Sequence, residues 1–327
     1  MNTSFPILTF IPQFKSVIWG GKRIAAFKGL PSQGDKVGES WELSCVPGHE
    51  SVIADGEYKG VSFRTLMDEH GEEIMGLRLT GVYGHDFPLL IKFIDSADDL
   101  SIQVHPDDKL ARERHNCPGK TEMWVSVDPA EGAYLFAGFN TEITAEEYRR
   151  RIADNTIVDV LGKYYTRPGD VFFLPAGRVH AIGKGNFVLE IQQSSDITYR
   201  IYDYDRRDAQ GNPRQLHVEE SVAAVNFKDT TGAAPTHIKD ETPCVEEVIA
   251  DSDFFTTTFA DVKGCMKIDL AARDSFTIVV AVEGDARLVD AEGRVTLLAK
   301  GYAALIPATM PEVTVEGDCK IVTTFIR

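Results

Sequence analysis

Short apolar stretches punctuated by glycine, proline and aspartate run along most of the chain and predict a mainly β protein. In the stretch TEMWVSV, Met123, Val125 and Val127 alternate along the chain and so fall on one face of a strand, opposite Glu122. Such alternation is typical of strands that have one face in an apolar core. Comparable stretches predict strands at 87–95, 100–105, 121–127 and 170–176.

Three stretches have helical periodicity instead and predict a small helical insertion in the N-terminal half. In residues 62–76, apolar side chains recur at the spacing of one helix face. A second helix is predicted over residues 144–161, where Thr144 precedes Glu147 at the spacing of a capping box. Residues 217–225 form the third and shortest predicted helix.

One short pattern occurs twice and indicates an internal repeat. Residues 169–176 read GDVFFLPA and residues 301–308 read GYAALIPA, each a glycine, five residues, a proline and an alanine. The second copy follows a strand–turn–strand pattern at 276–301, and the polar stretch at 228–243 has the composition of a linker. We therefore predict two related jelly-roll β-barrels in tandem, formed by residues 1–235 and 236–327.

Four polar side chains of the N-terminal half have the chemistry of metal ligands. Gln103 and His105 share one face of a strand because alternate residues point the same way. Glu122 begins a second strand, and His180 follows the turn Pro-Ala-Gly-Arg-Val. Two imidazoles, a carboxylate and a neutral amide suit a divalent cation and leave positions open for water or substrate.

The second copy of the repeat lacks the corresponding histidine. His180 lies eleven residues after Gly169, and the same count from Gly301 reaches Glu312. No histidine follows His237 in the chain. We therefore expect the C-terminal barrel to have no metal and to serve a structural or lid role.

Composition narrows the class of protein further. The chain has 327 residues, 43% of them hydrophobic, and a net charge of −16, which argues against general binding of nucleic acid. Nothing in it resembles a signal peptide or a membrane span. The five scattered cysteines have no CxxC spacing, so we expect a reducing cytoplasm and no thiolate zinc site. The pattern predicts no particular oligomeric state.

The candidate ligands lie in motifs that resemble those of the cupin superfamily. The pattern from Gly169 through Pro175 and Gly177 to His180 is similar to the second cupin motif, in which the final histidine binds metal. Gln103-x-His105 with the later glutamate resembles a variant of the first motif, in which glutamine replaces the usual first histidine.

A closer resemblance is carried by three longer stretches. IQVHPDD at 102–108, GKTEMW at 119–124 and LEIQQSSDITYRIYDYDR at 189–206 resemble type I mannose-6-phosphate isomerases in their short bacterial form. Trp19-Gly20-Gly21 and GESWELS at 38–44 fit that form as well. The resemblance covers about residues 15–225 and implies the same metal ligands as above. It also implies one zinc ion per chain and the interconversion of mannose 6-phosphate and fructose 6-phosphate through a cis-enediol(ate).

The same resemblance implies roles for five further residues. Arg200 matches the active-site arginine, and Lys120, Glu190, Asp196 and Lys92 match other active-site positions. Lys92, Lys120 and Arg200 would bind the anionic substrate, since fixed positive charge stabilises a developing enediolate or a phosphate. The base that moves the proton stays open between Lys120, Asp196 and a zinc-bound water.

Two other functions remain compatible with the motifs, because a fold does not determine a function. One is another metal-dependent cupin enzyme, such as an iron-dependent dioxygenase. The other is a non-catalytic sugar-phosphate-binding protein. Retention of the four ligands together with Lys120 and Arg200 favours the isomerase.

Overall fold

The computed structural model describes residues 5–207, 211–230, 232–239 and 242–327, and strands prevail over helices in them. The strands are β1 (Leu8–Ile11), β2 (Gln13–Gly21), β3 (Val37–Leu43), β4 (Val52–Ile53), β5 (Leu89–Asp95), β6 (Ile102–Val104), β7 (Glu122–Ser126), β8 (Tyr134–Phe139), β9 (Leu161–Tyr165), β10 (Asp170–Leu174), β11 (His180–Ile182), β12 (Phe187–Gln193), β13 (Tyr199–Tyr202), β14 (Thr236–His237), β15 (Glu247–Asp251), β16 (Thr256–Asp269), β17 (Thr277–Glu283), β18 (Ala286–Asp290), β19 (Val295–Leu298), β20 (Ala303–Ile306) and β21 (Glu312–Phe325). The α-helices are α1 (Arg23–Phe27), α2 (Phe63–Met75), α3 (Leu77–Tyr83), α4 (Asp108–His115), α5 (Ala145–Ala153) and α6 (Val218–Ala224). The prediction of a mainly β protein is confirmed.

Two of the predicted helices form where the pattern places them. The side chain of Ser62 caps α2 by accepting a hydrogen bond from the Arg64 amide. The same helix ends at Gly76, whose φ of 89° is open to glycine at little cost. Helix α6 lies within the predicted residues 217–225. The short helices α1, α3 and α4 were not predicted.

The predicted helix over residues 144–161 is wrong beyond Ala153. It begins as expected, because the Thr144 side chain accepts a hydrogen bond from the Glu147 amide. It stops because Asn155 takes a left-handed φ of 57°, which ends the α-helical hydrogen bonding. A 3-10 helix follows at Ile157–Val160, and β9 begins at Leu161.

The strands form three sheets. A seven-stranded sheet has the order β14-β10-β7-β12-β5-β3-β2, and a five-stranded sheet has the order β13-β6-β11-β8-β9. Their inner faces enclose one apolar cluster, in which Trp124 and Phe172 of the first sheet pack with Leu135 and Ile182 of the second. The third sheet has nine strands, with β15-β16-β21-β17-β20-β1-β4 as its main path and the β18–β19 hairpin joined to β21.

The seven-stranded sheet is apolar on its outer face. Leu89, Ile91 and Phe93 of β5 belong to the largest core cluster, together with Phe63 of α2 and Ile278 of the nine-stranded sheet. Alternation therefore points the residues between them, including Lys92, towards the five-stranded sheet. The space between the two sheets therefore holds buried polar side chains beside the apolar cluster described above.

Each predicted half contributes a strand that pairs with a strand of the other half. Strand β1, near the N-terminus, pairs with β20 of the nine-stranded sheet, and β14, within the predicted linker 228–243, pairs with β10. In the repeated motif, Gly169 and Gly301 have nearly the same left-handed φ, 83° and 85°. The relatedness of the two halves and their boundary stay predictions. None of the helices in the described residues is long and apolar enough to cross a membrane.

The buried side chain of Lys28 links β3 to the nine-stranded sheet. Lys28 Nζ lies 2.7 Å from Glu42 Oε1, and the side chains are 0% and 1% exposed. The same ammonium donates to the Gly301 carbonyl and lies 4.1 Å from the centre of the Tyr302 ring. Burial lowers the pKa of Lys28 and raises that of Glu42, and their mutual attraction opposes both shifts.

Lys28→Met should destabilise the protein by about 3–5 kcal/mol, because it leaves the Glu42 carboxylate buried without its partner. The double variant Lys28→Met/Glu42→Met should recover most of that loss, since apolar residues of similar volume replace the whole pair. Denaturant unfolding followed by tryptophan fluorescence would measure both. A single variant as stable as the unaltered protein would contradict the prediction.

Candidate metal centre

The ends of three strands bring the candidate ligands together. Gln103 lies in β6, Glu122 is the first residue of β7, and His180 is the first residue of β11. In the five-stranded sheet, Gln103 lies directly opposite His180 on one side and Arg200 on the other. Directly opposed residues share a sheet face, so these three side chains form one row towards the interior.

The two histidines and the glutamate form a tight, buried cluster. One ligand atom each from His105, Glu122 and His180 lies within 4.8 Å of the others. His180 Nε2 is 3.2 Å from Glu122 Oε1, and His105 Nε2 is 3.5 Å from Glu122 Oε2. All three side chains are almost fully buried. The arrangement can accept a divalent cation between the three groups.

Backbone carbonyl groups orient both imidazoles. His105 Nδ1 lies 2.9 Å from the carbonyl oxygen of Ile197, and His180 Nδ1 lies 2.9 Å from that of Arg178. A carbonyl oxygen only accepts, so each Nδ1 carries the proton and each Nε2 presents its lone pair to the cluster. Burial lowers the pKa of His180 to about 4 and holds that of His105 well below its usual range. Both rings are therefore neutral near pH 7, as metal binding requires.

Glu122 has the environment that most clearly suits a bound cation. Among the described residues, neither of its buried oxygens accepts a hydrogen bond of good geometry, although Lys120 Nζ lies 3.0 Å from Oε2. Burial raises the pKa of this carboxyl to about 7. Unsatisfied buried carboxylate oxygens beside two neutral imidazoles fit a bound metal ion.

The amide of Gln103 reaches the same place. Its Nε2 is 3.3 Å from His180 Nε2. The oxygen and nitrogen of an amide are interchanged by a half-turn about the terminal bond, which would present Oε1 to the cluster. Gln103 can thus serve as a fourth, neutral ligand.

Lys120 lies directly beside the cluster, although it precedes the start of β7. Its ammonium is 3.3 Å from His105 Nε2 and 3.0 Å from Glu122 Oε2. The residue is only 5% exposed. A mobile proton donor or acceptor therefore lies within reach of a molecule bound at the cluster.

Lys92 and Glu190 form a second buried pair on the same sheet face. Lys92 Nζ lies 2.9 Å from Glu190 Oε1, and Trp124 donates a hydrogen bond to Glu190 Oε2 at 2.7 Å. Burial alone would raise the pKa of Glu190, but Lys92 and Lys120 outweigh it and lower that pKa. Burial would likewise lower the pKa of Lys92, but Glu190 and Glu39 raise it instead. Both groups are therefore charged at neutral pH.

The sequence reasoning assigned no role to two residues that extend this row. Trp41 lies directly opposite Lys92 on β3, and its Nε1 donates to Glu39 Oε2 at 2.6 Å. Glu39 Oε2 in turn lies 3.9 Å from Lys92 Nζ. The alternation of Glu39 and Trp41 within GESWELS could have placed them on one face, but only strand pairing identifies that face as interior.

Arg200 lies half-buried on β13 at the edge of the five-stranded sheet. Its Nε donates to Ser101 Oγ at 3.3 Å and its Nη1 to the Gln215 carbonyl at 3.1 Å. Burial and the neighbouring Arg214 and Arg206 lower its pKa. Arg206 and Arg214 both form ion pairs with the buried Asp203.

Asp196 has a different location from the other candidate residues. It is exposed in the loop after β12 and, within the described chain, forms no hydrogen bond or ion pair. It lines a cavity of about 690 Å³ together with Arg112 and Cys117. Among the described residues, the candidate metal ligands and Lys120 do not line this cavity.

Family models and curated relatives match this chain over most of its length. The family model for the catalytic domain of type I phosphomannose isomerase matches residues 7–135, and the model for the mannose-6-phosphate isomerase cupin domain matches residues 246–326. The mannose-6-phosphate isomerase of Streptococcus mutans is 36% identical over 95% of this chain and 96% of its own length. Mannose-6-phosphate isomerase ManA of Bacillus subtilis is 34% identical over 98% of both.

A solved structure gives the same answer for the fold. The crystal structure of the mannose 6-phosphate isomerase from Bacillus subtilis superposes with a TM-score of 0.87 at 34% identity, covering 98% of this chain and 99% of that one. The predicted mainly β, cupin-containing fold class is thereby confirmed. This chain belongs to the type I phosphomannose isomerase family.

Proposed function

We propose that this protein is a zinc-dependent aldose–ketose isomerase that interconverts mannose 6-phosphate and fructose 6-phosphate. The observation that carries the proposal is the buried cluster of His105, Glu122 and His180 with the Lys120 ammonium 3.0 Å from Glu122. It combines a cation site with a proton-transfer group inside one closed interior. The names of the relatives supply mannose 6-phosphate as one substrate, and fructose 6-phosphate is the ketose isomer of that aldose.

Gln103, His105, Glu122 and His180 would hold the zinc ion. Two imidazole nitrogens, a carboxylate and an amide oxygen are a donor set that suits zinc and leaves room for substrate. When bound, the ion supplies a Lewis acid that polarises the substrate oxygens on C1 and C2. The remaining chemistry is that of the protein's own side chains.

Lys120 is the residue best placed to move the proton. Isomerisation of mannose 6-phosphate removes a proton from C2 and returns one to C1, through a cis-enediol(ate) between them. The buried Lys120 ammonium lies 3.3 Å from His105 Nε2, whereas Asp196 lies exposed in a loop and lines a separate cavity. We therefore favour Lys120 over Asp196 as the group that holds or moves a proton at these two carbons.

Fixed positive charge supports the anionic substrate. Arg200 provides planar donors suited to a phosphate or an enediolate oxygen, beside Arg206 and Arg214, whose charge Asp203 partly offsets. Lys92, held by Glu190, contributes a second buried cation on the facing sheet. Such local charge can attract an anion even in a protein with a net charge of −16.

A cytoplasmic location is part of the proposal. All five cysteines are unpaired in the structure, and Cys45 and Cys319 are buried as free thiols. Free thiols of this kind are expected in a reducing compartment.

Metal-free protein should bind one zinc ion per chain, and His180→Ala should lose it. Zinc present at about a thousandfold excess over its Kd would stabilise the folded protein by about 4 kcal/mol. Elemental analysis and thermal unfolding with and without zinc measure both effects. The matched control is His85→Ala, which changes an exposed loop histidine and should bind zinc normally. Equal zinc content in His180→Ala and the unaltered protein would contradict the site.

Lys120→Met should lower kcat by about 10²–10⁴-fold, the range for loss of a general acid–base group. Zinc content should stay at one ion per chain, because Lys120 is not a ligand. A coupled assay that reports formation of fructose 6-phosphate measures the rate. Lys109→Met, at an exposed position of α4, is the control and should retain full activity. Full turnover by Lys120→Met would exclude the proposed proton transfer, and a zinc-loaded unaltered protein without turnover would exclude the function.

A further inference from the structure

The segment that carries Lys120 lies outside regular secondary structure, because β7 begins only at Glu122. A lysine side chain has four rotatable bonds and high conformational entropy, so its ammonium is held in place only if its backbone is fixed. Three successive amide groups fix this backbone. The Gly119 amide donates to Asp108 Oδ1 at 2.8 Å, the Lys120 amide to the Pro106 carbonyl at 3.1 Å, and the Thr121 amide to Gln193 Oε1 at 2.8 Å.

Asp108 and Gln193 also bind each other. Gln193 Nε2 donates to Asp108 Oδ1 at 3.0 Å, so this one oxygen accepts from both the Gly119 amide and the Gln193 side chain. A carboxylate only accepts, which determines that the Gln193 amide presents its oxygen to Thr121. The backbone of Gln193 adds a further bond, since its amide donates to the Thr121 carbonyl at 3.0 Å.

Close packing leaves this segment little room to move. A Cβ atom at Gly119 would lie 2.6 Å from the backbone of Asp107 and Asp108, so the chain passes there with no space for a side chain. Gln193 is only 7% exposed and Thr121 only 2%. The bond from the Thr121 amide to Gln193 Oε1 is therefore shielded from competing water, and the two bonds to Asp108 Oδ1 are part-buried at the wall of the 690 Å³ cavity.

We infer that Gln193 and Asp108 are positioning residues that hold Lys120 at the reacting carbons. The pair of side chains grips the peptide on both sides of Lys120, so the location of its ammonium beside Glu122 depends on them. This inference rests on the proposed role of Lys120 in proton transfer. Neither residue touches the candidate ligand atoms at hydrogen-bonding distance, so their effect passes through Lys120.

Gln193→Met removes both side-chain bonds while keeping a side chain of similar size. It should lower kcat about tenfold to a hundredfold, because a displacement of about 1 Å can cost that much, and leave KM and zinc content nearly unchanged. Asp108→Asn keeps an acceptor oxygen for both donors and should retain activity within about threefold of the unaltered protein. If Gln193→Met does not fold, Asp108→Ala can replace it, because it removes the bonds from Asp108 Oδ1 to the Gly119 amide and to Gln193.

A matched control separates positioning from stability. Asn140 donates to the carbonyl groups of Asp159 and Leu161 at 3.2 Å, so Asn140→Leu also removes two side-chain bonds but leaves the Lys120 segment intact. Because Asn140 is exposed whereas Gln193 is buried, Asn140→Leu should lower the unfolding temperature by less than Gln193→Met does, and it should leave kcat unchanged. A loss of kcat that merely follows the loss of stability in both variants would overturn the inference.

A second readout does not depend on turnover. The rate of reductive methylation of Lys120 in the metal-free protein, followed by mass spectrometry of its peptide, reports how firmly this buried ammonium is held. Gln193→Met should raise that rate at least about tenfold, and Asn140→Leu should not. An unchanged rate in Gln193→Met overturns the inference. If the unaltered protein has no isomerase activity, the proposed function fails while this labelling still decides whether Gln193 holds Lys120.

Discussion

The burial of charge between two β-sheets is the constraint on which the rest of this structure depends. Transfer of a carboxylate from water to the protein interior costs several kcal/mol unless a partner of opposite charge compensates the lost hydration. Glu190 has such a partner in Lys92, and both remain ionised. Glu122 faces Lys120 and two neutral imidazoles, and its oxygens keep unsatisfied capacity. The interior thus contains one ion pair, Lys92 with Glu190, and one cluster around Glu122 that suits a cation. The surrounding strands fix the positions of both.

Local rules predict which polar side chains of the candidate metal site share a face. The period of two in a strand puts Gln103 on the face opposite Ile102 and Val104, which indeed lie in an apolar cluster. The positive φ of Gly177 turns the chain just before His180. The Lys92–Glu190 pair, in contrast, depends on which strands become neighbours, and the sequence pattern carries no such information. The predicted helix runs beyond Ala153 because the apolar periodicity continues there, whereas the left-handed backbone of Asn155 ends the helix in the structure.

The repeated motif has different uses in the two halves. In the first, it leads to His180 and the cluster. In the second, the residue at the same spacing is Glu312, whose carboxylate lies 2.6 Å from Lys267 Nζ in a partly exposed pair. The glycine of this copy instead offers its carbonyl to Lys28, and a Cβ there would come within 2.9 Å of Lys28 Cγ. The turn of the second copy therefore makes a close contact with Lys28.

The pairing of β1 with β20 also affects how the chain can fold during synthesis. Leu8 lies opposite Leu305, so this edge of the nine-stranded sheet closes only after almost the whole chain has left the ribosome. Until then the edge of β1 that pairs with β20 has unpaired backbone groups, although its other edge can pair with β4. Contacts between residues so far apart in sequence slow folding and prolong the exposure of unpaired strand edges. The edge of β1 that faces β20 thus stays unpaired until the residues of β20 have been synthesised.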